Sequence, residues 1–238
     1  MGGSIALKQT DDRINVAIDG PAGAGKSTVA KLVAERLGYI YIDTGAMYRV
    51  VAYKALEDGV GPDHAAEAVR TAERLSIELR PGQQRQQVLA DGEDVTDAIR
   101  SASVTSKVSA YASNPGIRDI LVRKQQEMAR KKGVVMDGRD IGTKVLPDAE
   151  VKIYLTASVE KRAQRRFEEL PEGSTTMEEL REDIARRDEM DRNREHSPLV
   201  QAEDAIRIDS TDMSIEEVTE KILAICSEAI ARGVEQDE

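Results

Sequence analysis

Residues 14–28, INVAIDGPAGAGKST, constrain the fold more than any other stretch of the chain. The apolar run Ile14 to Ile18 stops one residue before Gly20, and the segment beyond the glycines carries Val29, Leu32, Val33 and Leu37 at helical spacing before Gly38 ends it. A continuously apolar strand is one buried on both faces. A helix that follows it directly returns across the sheet, so the next strand runs parallel. Between strand and helix, Gly20 to Ser27 read GxxxxGKS. The glycines allow backbone angles closed to other residues, so a loop of Gly20, Pro21, Ala22, Gly23, Ala24, Gly25, Lys26, Ser27 and Thr28 can turn its amides onto phosphate oxygens. Lys26 then reaches the β and γ phosphates, Ser27 holds Mg2+, and the helix start adds its positive end. A carboxylate at the end of another strand completes such a metal site. Asp137, after Val134-Val135-Met136, is best placed for it, and Asp19 is the rival. A GTP-binding protein of this kind needs an Asn-Lys-x-Asp segment, which the chain lacks, so ATP is the expected donor.

The rest of the chain repeats the alternation. YIYI, VVM, VKIYLTAS and AIRIDS read as strands, separated by helical patterns, among them two that flank Pro115, a basic one at SVEKRAQRRFEEL and a charged one reaching about Arg194. Together they predict an α/β fold of the P-loop NTPase type, a mostly parallel sheet covered by helices on both faces, with ligands beyond the strand carboxyl ends. The core is expected over 13–60 and 105–232, with a short lid at about 165–180. Between them, 61–104 change texture: a polar helix, then SIELRPG, QQVLADG and EDVTDAI as short strands, a small α+β insert. Residues 1–12 and 233–238 are expected to be flexible ends.

With 34 Lys and Arg against 44 Asp and Glu, the net charge is -10, the wrong field for a protein that lives on nucleic-acid phosphates or anionic lipid. Basic clusters must therefore be local. At 3% aromatic residues and no Trp, base-stacking platforms are scarce as well. The single cysteine, Cys226, shares a helical face with Ile215, Val218, Ile222, Ile225 and Ala229 and reads as a core thiol. The absence of a membrane-length apolar run and of a signal sequence gives a cytoplasmic expectation, with neither nucleic acid nor membrane as partner.

Three segments address the acceptor. DTGAMYR, from Asp43 to Arg49, places Gly45, Tyr48 and Arg49 where a helix start could receive an anion; the plainer reading is an N-cap at Thr44. DGRD adds Arg139 and Asp140 on the same rim. In RRDEMDRNR, Arg187, Asp191 and Arg194 fall at i, i+4, i+7, and Asp188, Arg192 and Glu195 form an equally regular stripe that salt bridges alone would explain. Periodicity does not choose between the stripes.

IDGPAGAGKST, YIYIDTGAMYR, MDGRDIGT, LPDAEVKIYL, RRDEMDRNRE with SPL, and IDST resemble, in the same order and over nearly the whole chain, the bacterial cytidylate kinases. Adenylate kinases and eukaryotic-type UMP/CMP kinases share the layout but carry Ser-Thr-Gly-Asp where this chain has DTGA, and Asp-Gly-Phe-Pro-Arg where it has DGRD. The resemblance implies transfer of the γ-phosphate of ATP to CMP or dCMP with Mg2+, a monomer, and an insert matching 61–104. Carried over by residue, Arg49, Arg139 and Arg194 hold the acceptor phosphate and Arg187 with Asp191 the ribose. Ser109, Arg118 and Asp140 read the cytosine, with Ser106 as an alternative to Ser109, and Thr44 lies alongside. Arg162, Arg165 and Arg166 belong to the lid over ATP, Arg162 and Arg165 as ATP contacts.

Overall fold

The computed structural model describes residues 13–82, 85–171 and 173–236. Strand β1 (Asn15–Asp19) leads through α1 (Lys26–Leu37) to β2 (Ile40–Asp43) and α2 (Thr44–Glu57). Then come α3 (Ala65–Arg74), β3 (Ile77–Arg80), β4 (Gln87–Ala90), β5 (Glu93–Asp94), a 3-10 turn (Ala98–Arg100), α4 (Ala102–Ala112) and α5 (Pro115–Ala129). The chain continues as β6 (Val134–Gly138), a π-helical turn (Ile141–Val145), β7 (Val151–Thr156), α6 (Val159–Glu168), α7 (Met177–Arg192), β8 (Ile206–Asp209) and α8 (Ile215–Gln236).

The main sheet has five strands in the order β2-β6-β1-β7-β8, every pair parallel. Its pleat sorts the apolar residues to two sides. Val16 and Ile18 of β1, with Val135, Ile153 and Ile208, pack under α1 and α8, while Ala17, Val134 and Met136 face α2, α4 and α5. Burial on both faces is why these strands read as unbroken apolar runs. Each fully buried Ile or Met contributes about 1.5 to 3 kcal/mol. Register then aligns three carboxylates at the carboxyl edge: Asp43 of β2 lies opposite Asp137 of β6, and Asp137 opposite Ile18, one residue before Asp19.

Residues 61–104 form α3 and a separate antiparallel sheet, β3-β4-β5. Ile77, Val88 and Ala90 of that sheet join the same apolar cluster as α2, so the segment shares the core of the main body. EDVTDAI, expected to be a strand, pairs only through Glu93 and Asp94. Beyond them Val95 N still donates to the Val88 carbonyl (3.0 Å), but Val88 N donates to Thr96 Oγ1 (2.9 Å), and the Asp94 carboxylate accepts from Thr96 N (3.0 Å) and Oγ1 (2.6 Å). Helix α7 stops at Arg192, two residues before the expected end, with Asn193 as its C-cap. Helix α8 runs through 233–236, which the pattern assigned to a flexible end; 1–12, the other expected end, and 237–238 lie outside the described residues.

Cys226 is fully buried in the α1/α8 cluster, and burial pushes its thiol up to about 12. Native protein should therefore leave a thiol reagent unreacted over minutes at neutral pH and take up one equivalent promptly in denaturant. Rapid native labelling would contradict that burial.

Candidate active site

The N-cap of α1 is Gly25, in the left-handed region (φ 89), which offers no side chain to cap the helix. By contrast α2, α5, α6 and α7 are capped by Asp43, Asn114, Ser158 and Thr176. Its free amides open instead into a cavity of about 830 Å³, which runs from the 23–28 loop to Arg118 and Arg194. Such an uncapped start is an anion site in waiting. Close approach fixes the loop's entry: a Cβ on Gly20 (φ 152) would sit 1.9 Å from the carbonyl oxygen of Leu155. Gly20→Ala should cost about 3 kcal/mol or more, read as a lower urea midpoint. A midpoint equal to wild type would contradict the packing.

Lys26 is buried and donates to the Pro21 carbonyl (2.8 Å). Burial, then repulsion from Arg139, pushes its ammonium down to about 7. Ser27 Oγ donates to Asp137 Oδ2 (2.9 Å), and Tyr41 Oη donates to Asp137 Oδ1 (2.8 Å). Burial, then the neighbouring Asp43, pushes the Asp137 carboxyl up to about 6. Asp19 is engaged elsewhere. Its two oxygens accept from Ile141 N (2.8 Å) and Gly142 N (2.7 Å), holding the turn that follows Arg139 and Asp140. Burial pushes its carboxyl up to about 6 as well. Geometry thus gives Asp137 the position beside Ser27, and Asp19 a structural one. Among the described residues no group of three or more His, Cys, Asp or Glu could hold a metal by itself. A Ser27 and Asp137 pair suits Mg2+, which keeps most of its waters and takes few protein ligands.

The far chamber is built from four elements. Helix α2 supplies Arg49, whose Nη1 donates to Thr105 Oγ1 (2.8 Å) and the Ile99 carbonyl (3.3 Å). Burial, then repulsion from Arg187, pushes Arg49 down to about 10. From the end of β6, Arg139 Nε donates to Asp191 Oδ2 (2.7 Å), and Asp191 also accepts from Arg194. Although burial opposes it, the guanidinium groups of Arg139 and Arg194 hold the Asp191 carboxyl below its usual range. Arg118 of α5 pairs with Asp140, donates to the Ala112 carbonyl (3.0 Å) and lies over the Tyr48 ring at 5.2 Å. Buried Nε atoms of Arg118, Arg187 and Arg194 have no protein acceptor. All three side chains line the cavity, and guanidinium groups left short of acceptors beside it favour an anionic or polar ligand.

Most residues singled out from the sequence converge on this cavity, with informative exceptions. Thr44 does not cap α2; Asp43 does, accepting from Ala46 N (2.9 Å), and the Thr44 hydroxyl is spent on the Asp137 carbonyl (2.6 Å). Ser109 lines the cavity, whereas Ser106 is exposed and donates to Ser103 O (3.1 Å). On α7 the first stripe faces inward, and in the second Asp188 turns to α6, with Arg192 and Glu195 exposed. Arg165 reaches Ser210 O (2.6 Å) and Ser210 Oγ (3.2 Å) at the cavity edge, and Arg166 pairs with Glu169 (3.0 Å) in the open. Arg162, expected as an ATP contact, lines the cavity but is held by protein partners. It is 3% exposed, and all of its nitrogens are bound to protein. Tyr41, Thr105 and Ser210 were missed. Nothing in a lone hydroxyl residue announces a partner that is distant in sequence.

The family model for cytidylate kinase matches residues 16–228. Curated cytidylate kinases of Bacillus cereus and Bacillus thuringiensis are each 52% identical over 224 residues, covering 93% of this chain and 100% of theirs. Among solved structures, an uncharacterized protein from Eubacterium ventriosum superposes with a TM-score of 0.50 at 12% identity, over 91% of this chain and 99% of that one, a likeness of fold alone. A phosphate loop facing an arginine-lined second chamber, and relatives matched along their full length, lead to one conclusion: the chain belongs to the cytidylate kinase family.

Proposed function

We propose that the protein transfers the γ-phosphate of ATP to CMP or dCMP, giving ADP and CDP or dCDP. The observation that carries this reading is one cavity that joins an uncapped phosphate loop to a wall lined by Arg49, Arg118, Arg139, Arg187 and Arg194. In this reading the polyphosphate lies on residues 20–28, with Lys26 released from Pro21 onto it. Arg165 and the Ser210 segment flank the rest of ATP. Mg2+, beside Ser27 and Asp137, would neutralise phosphate charge when bound.

The acceptor phosphate meets Arg49, Arg139 and Arg194, which offset repulsion between the two anions. Arg187 and Asp191 take the ribose, and Ser109, Arg118 and Asp140 the cytosine edge. An acceptor phosphate oxygen attacks the γ phosphorus in line, and the bond to the ADP oxygen breaks. No protein nucleophile takes part, so catalysis rests on positioning and on cations fixed before the reaction. Closure of Arg166 and the segment leading into α7 excludes water, whose attack would hydrolyse ATP. Lid, insert, monomeric state and cytoplasmic location are part of the same proposal; among the described residues no helix is long and apolar enough to cross a membrane. Calorimetry tests the acceptor half: CMP should bind wild type without ATP, and Arg194→Met should weaken it by at least about tenfold. Equal affinity would remove Arg194 from the acceptor site.

A further inference from the structure

Arg162, on α6 at the cavity wall, forms a clasp between the phosphate loop and α7. Its Nε donates to the Ala157 carbonyl (2.9 Å), Nη1 to the Ala22 carbonyl (2.8 Å) and to Asp188 Oδ1 (3.1 Å), and Nη2 to Asp188 Oδ2 (2.6 Å). Ala22 belongs to the phosphate loop, and a Cβ on Gly23 would lie 3.3 Å from the Arg162 Cβ, so the loop rests directly on this side chain. Asp188 is 1% exposed on α7, next to Arg187 and one turn before Asp191. Asp191 in turn holds Arg139 (2.7 Å) and Arg194. An unbroken path of charge-assisted hydrogen bonds and one helical turn therefore joins the loop carbonyl of Ala22 to the arginines of the far chamber.

Two properties make this path able to carry displacement. A bidentate guanidinium–carboxylate pair is planar and fixes both partners in angle as well as distance. Helix α7 bears Asp188 beside Arg187 and Asp191, so a shift at the clasp moves the acceptor face as a rigid unit. A phosphate that drew the loop amides inward would shift Ala22, and with it Arg162 and Asp188.

We propose that Asp188, acting through Arg162, is a positioning residue that couples the donor loop to the acceptor arginines, so that each nucleotide binds more tightly when the other is present. The inference rests on the proposed assignment of ATP to the loop and CMP to the α7 chamber. Coupling of this kind is reciprocal.

The test is calorimetry on the full chain, titrating CMP with and without the Mg2+ complex of a non-hydrolysable ATP analogue, and the analogue with and without CMP. Wild type is expected to tighten by at least about fivefold in both directions. In Asp188→Asn the ratio should fall below about twofold, within the range where coupling is absent. The pair Arg162→Met with Asp188→Leu strands no charge and keeps the volume filled, so it serves if Asp188→Asn does not fold. A merely structural clasp would lower the melting temperature of these variants and leave the ratio at its wild-type value. That result, or a wild-type ratio of one, overturns the inference. Hydrogen exchange on wild type needs no variant: the analogue alone should slow exchange around residues 185–194, and unchanged exchange there also overturns it. Failure of wild type to bind CMP or the analogue alone would instead overturn the site assignment beneath it.

Discussion

Lys26→Ala is expected to lower turnover with ATP and CMP by about a hundredfold to a thousandfold while CMP affinity changes by less than about threefold. The two effects separate because Lys26 sits in the loop, whereas Arg49, Arg118, Arg187 and Arg194 line the other chamber. The fold should survive, since the lysine's hydrogen bond is to the loop's own Pro21 and its ammonium is already disfavoured by burial. Thermal melting and CMP calorimetry on the variant check this. Near-normal transfer by a folded Lys26→Ala protein would defeat the donor-site assignment. The depressed ammonium also sets a sign for pH. With the free group near about 7, much of it is neutral at about pH 8, and polyphosphate charge restores the proton. Binding of the ATP analogue should therefore take up protons at that pH, measurable as a heat that changes with the buffer's ionisation enthalpy. Proton release, or none, would contradict it.

Arg118→Met or Asp140→Ala is expected to lower kcat/KM for CMP by at least about tenfold and to narrow the preference over UMP. Cytosine presents an N4 amino donor beside the N3 and O2 acceptors. Asp140 can only accept when ionised, Arg118 can only donate, and Ser109 can do either. Uracil, with O4 and N3-H, sets acceptor against acceptor and donor against donor. Arg118 and Asp140 are paired at full burial while Arg118 Nε keeps no protein acceptor, so a base that disturbs the pair without replacing its bonds leaves two buried charges poorly paired. At about 1.5 to 3 kcal/mol for each charged hydrogen bond, the preference is about tenfold to over a hundredfold. The decisive quantity is the ratio of CMP to UMP efficiency in each variant. An unchanged ratio would show that the pair serves only the fold.

What was legible in the sequence follows from how local each signal is. The strand, glycine loop and helix around Lys26 are contiguous, and their order alone fixes a parallel sheet with a phosphate loop at its edge. Strand register then places Asp137 beside Asp43, and this too follows once β2 and β6 are recognised as neighbours. The pattern preferred Asp137 over Asp19 without excluding Asp19. Both follow apolar strands, and the amides of Ile141 and Gly142 that engage Asp19 lie far along the chain.

Helix α7 presents the same difficulty. Its two charged stripes are equivalent as patterns, and their separate directions depend on Arg162 being anchored on another helix. The basic character of α6 suggested a lid, yet its innermost arginine is buried against the phosphate loop. EDVTDAI is a strand only over Glu93–Asp94, since beyond them Asp94 and Thr96 offer side-chain hydrogen bonds and Ala98–Arg100 turn into a 3-10 helix.

The most direct test of the account is ADP release, measured by coupled assay with ATP, Mg2+ and each of CMP, dCMP, UMP, AMP and GMP in turn. The account predicts release that depends on the monophosphate, with CMP and dCMP used at least about tenfold more efficiently than the others. Release that is indifferent to CMP, or equal efficiency with UMP or AMP, would contradict it.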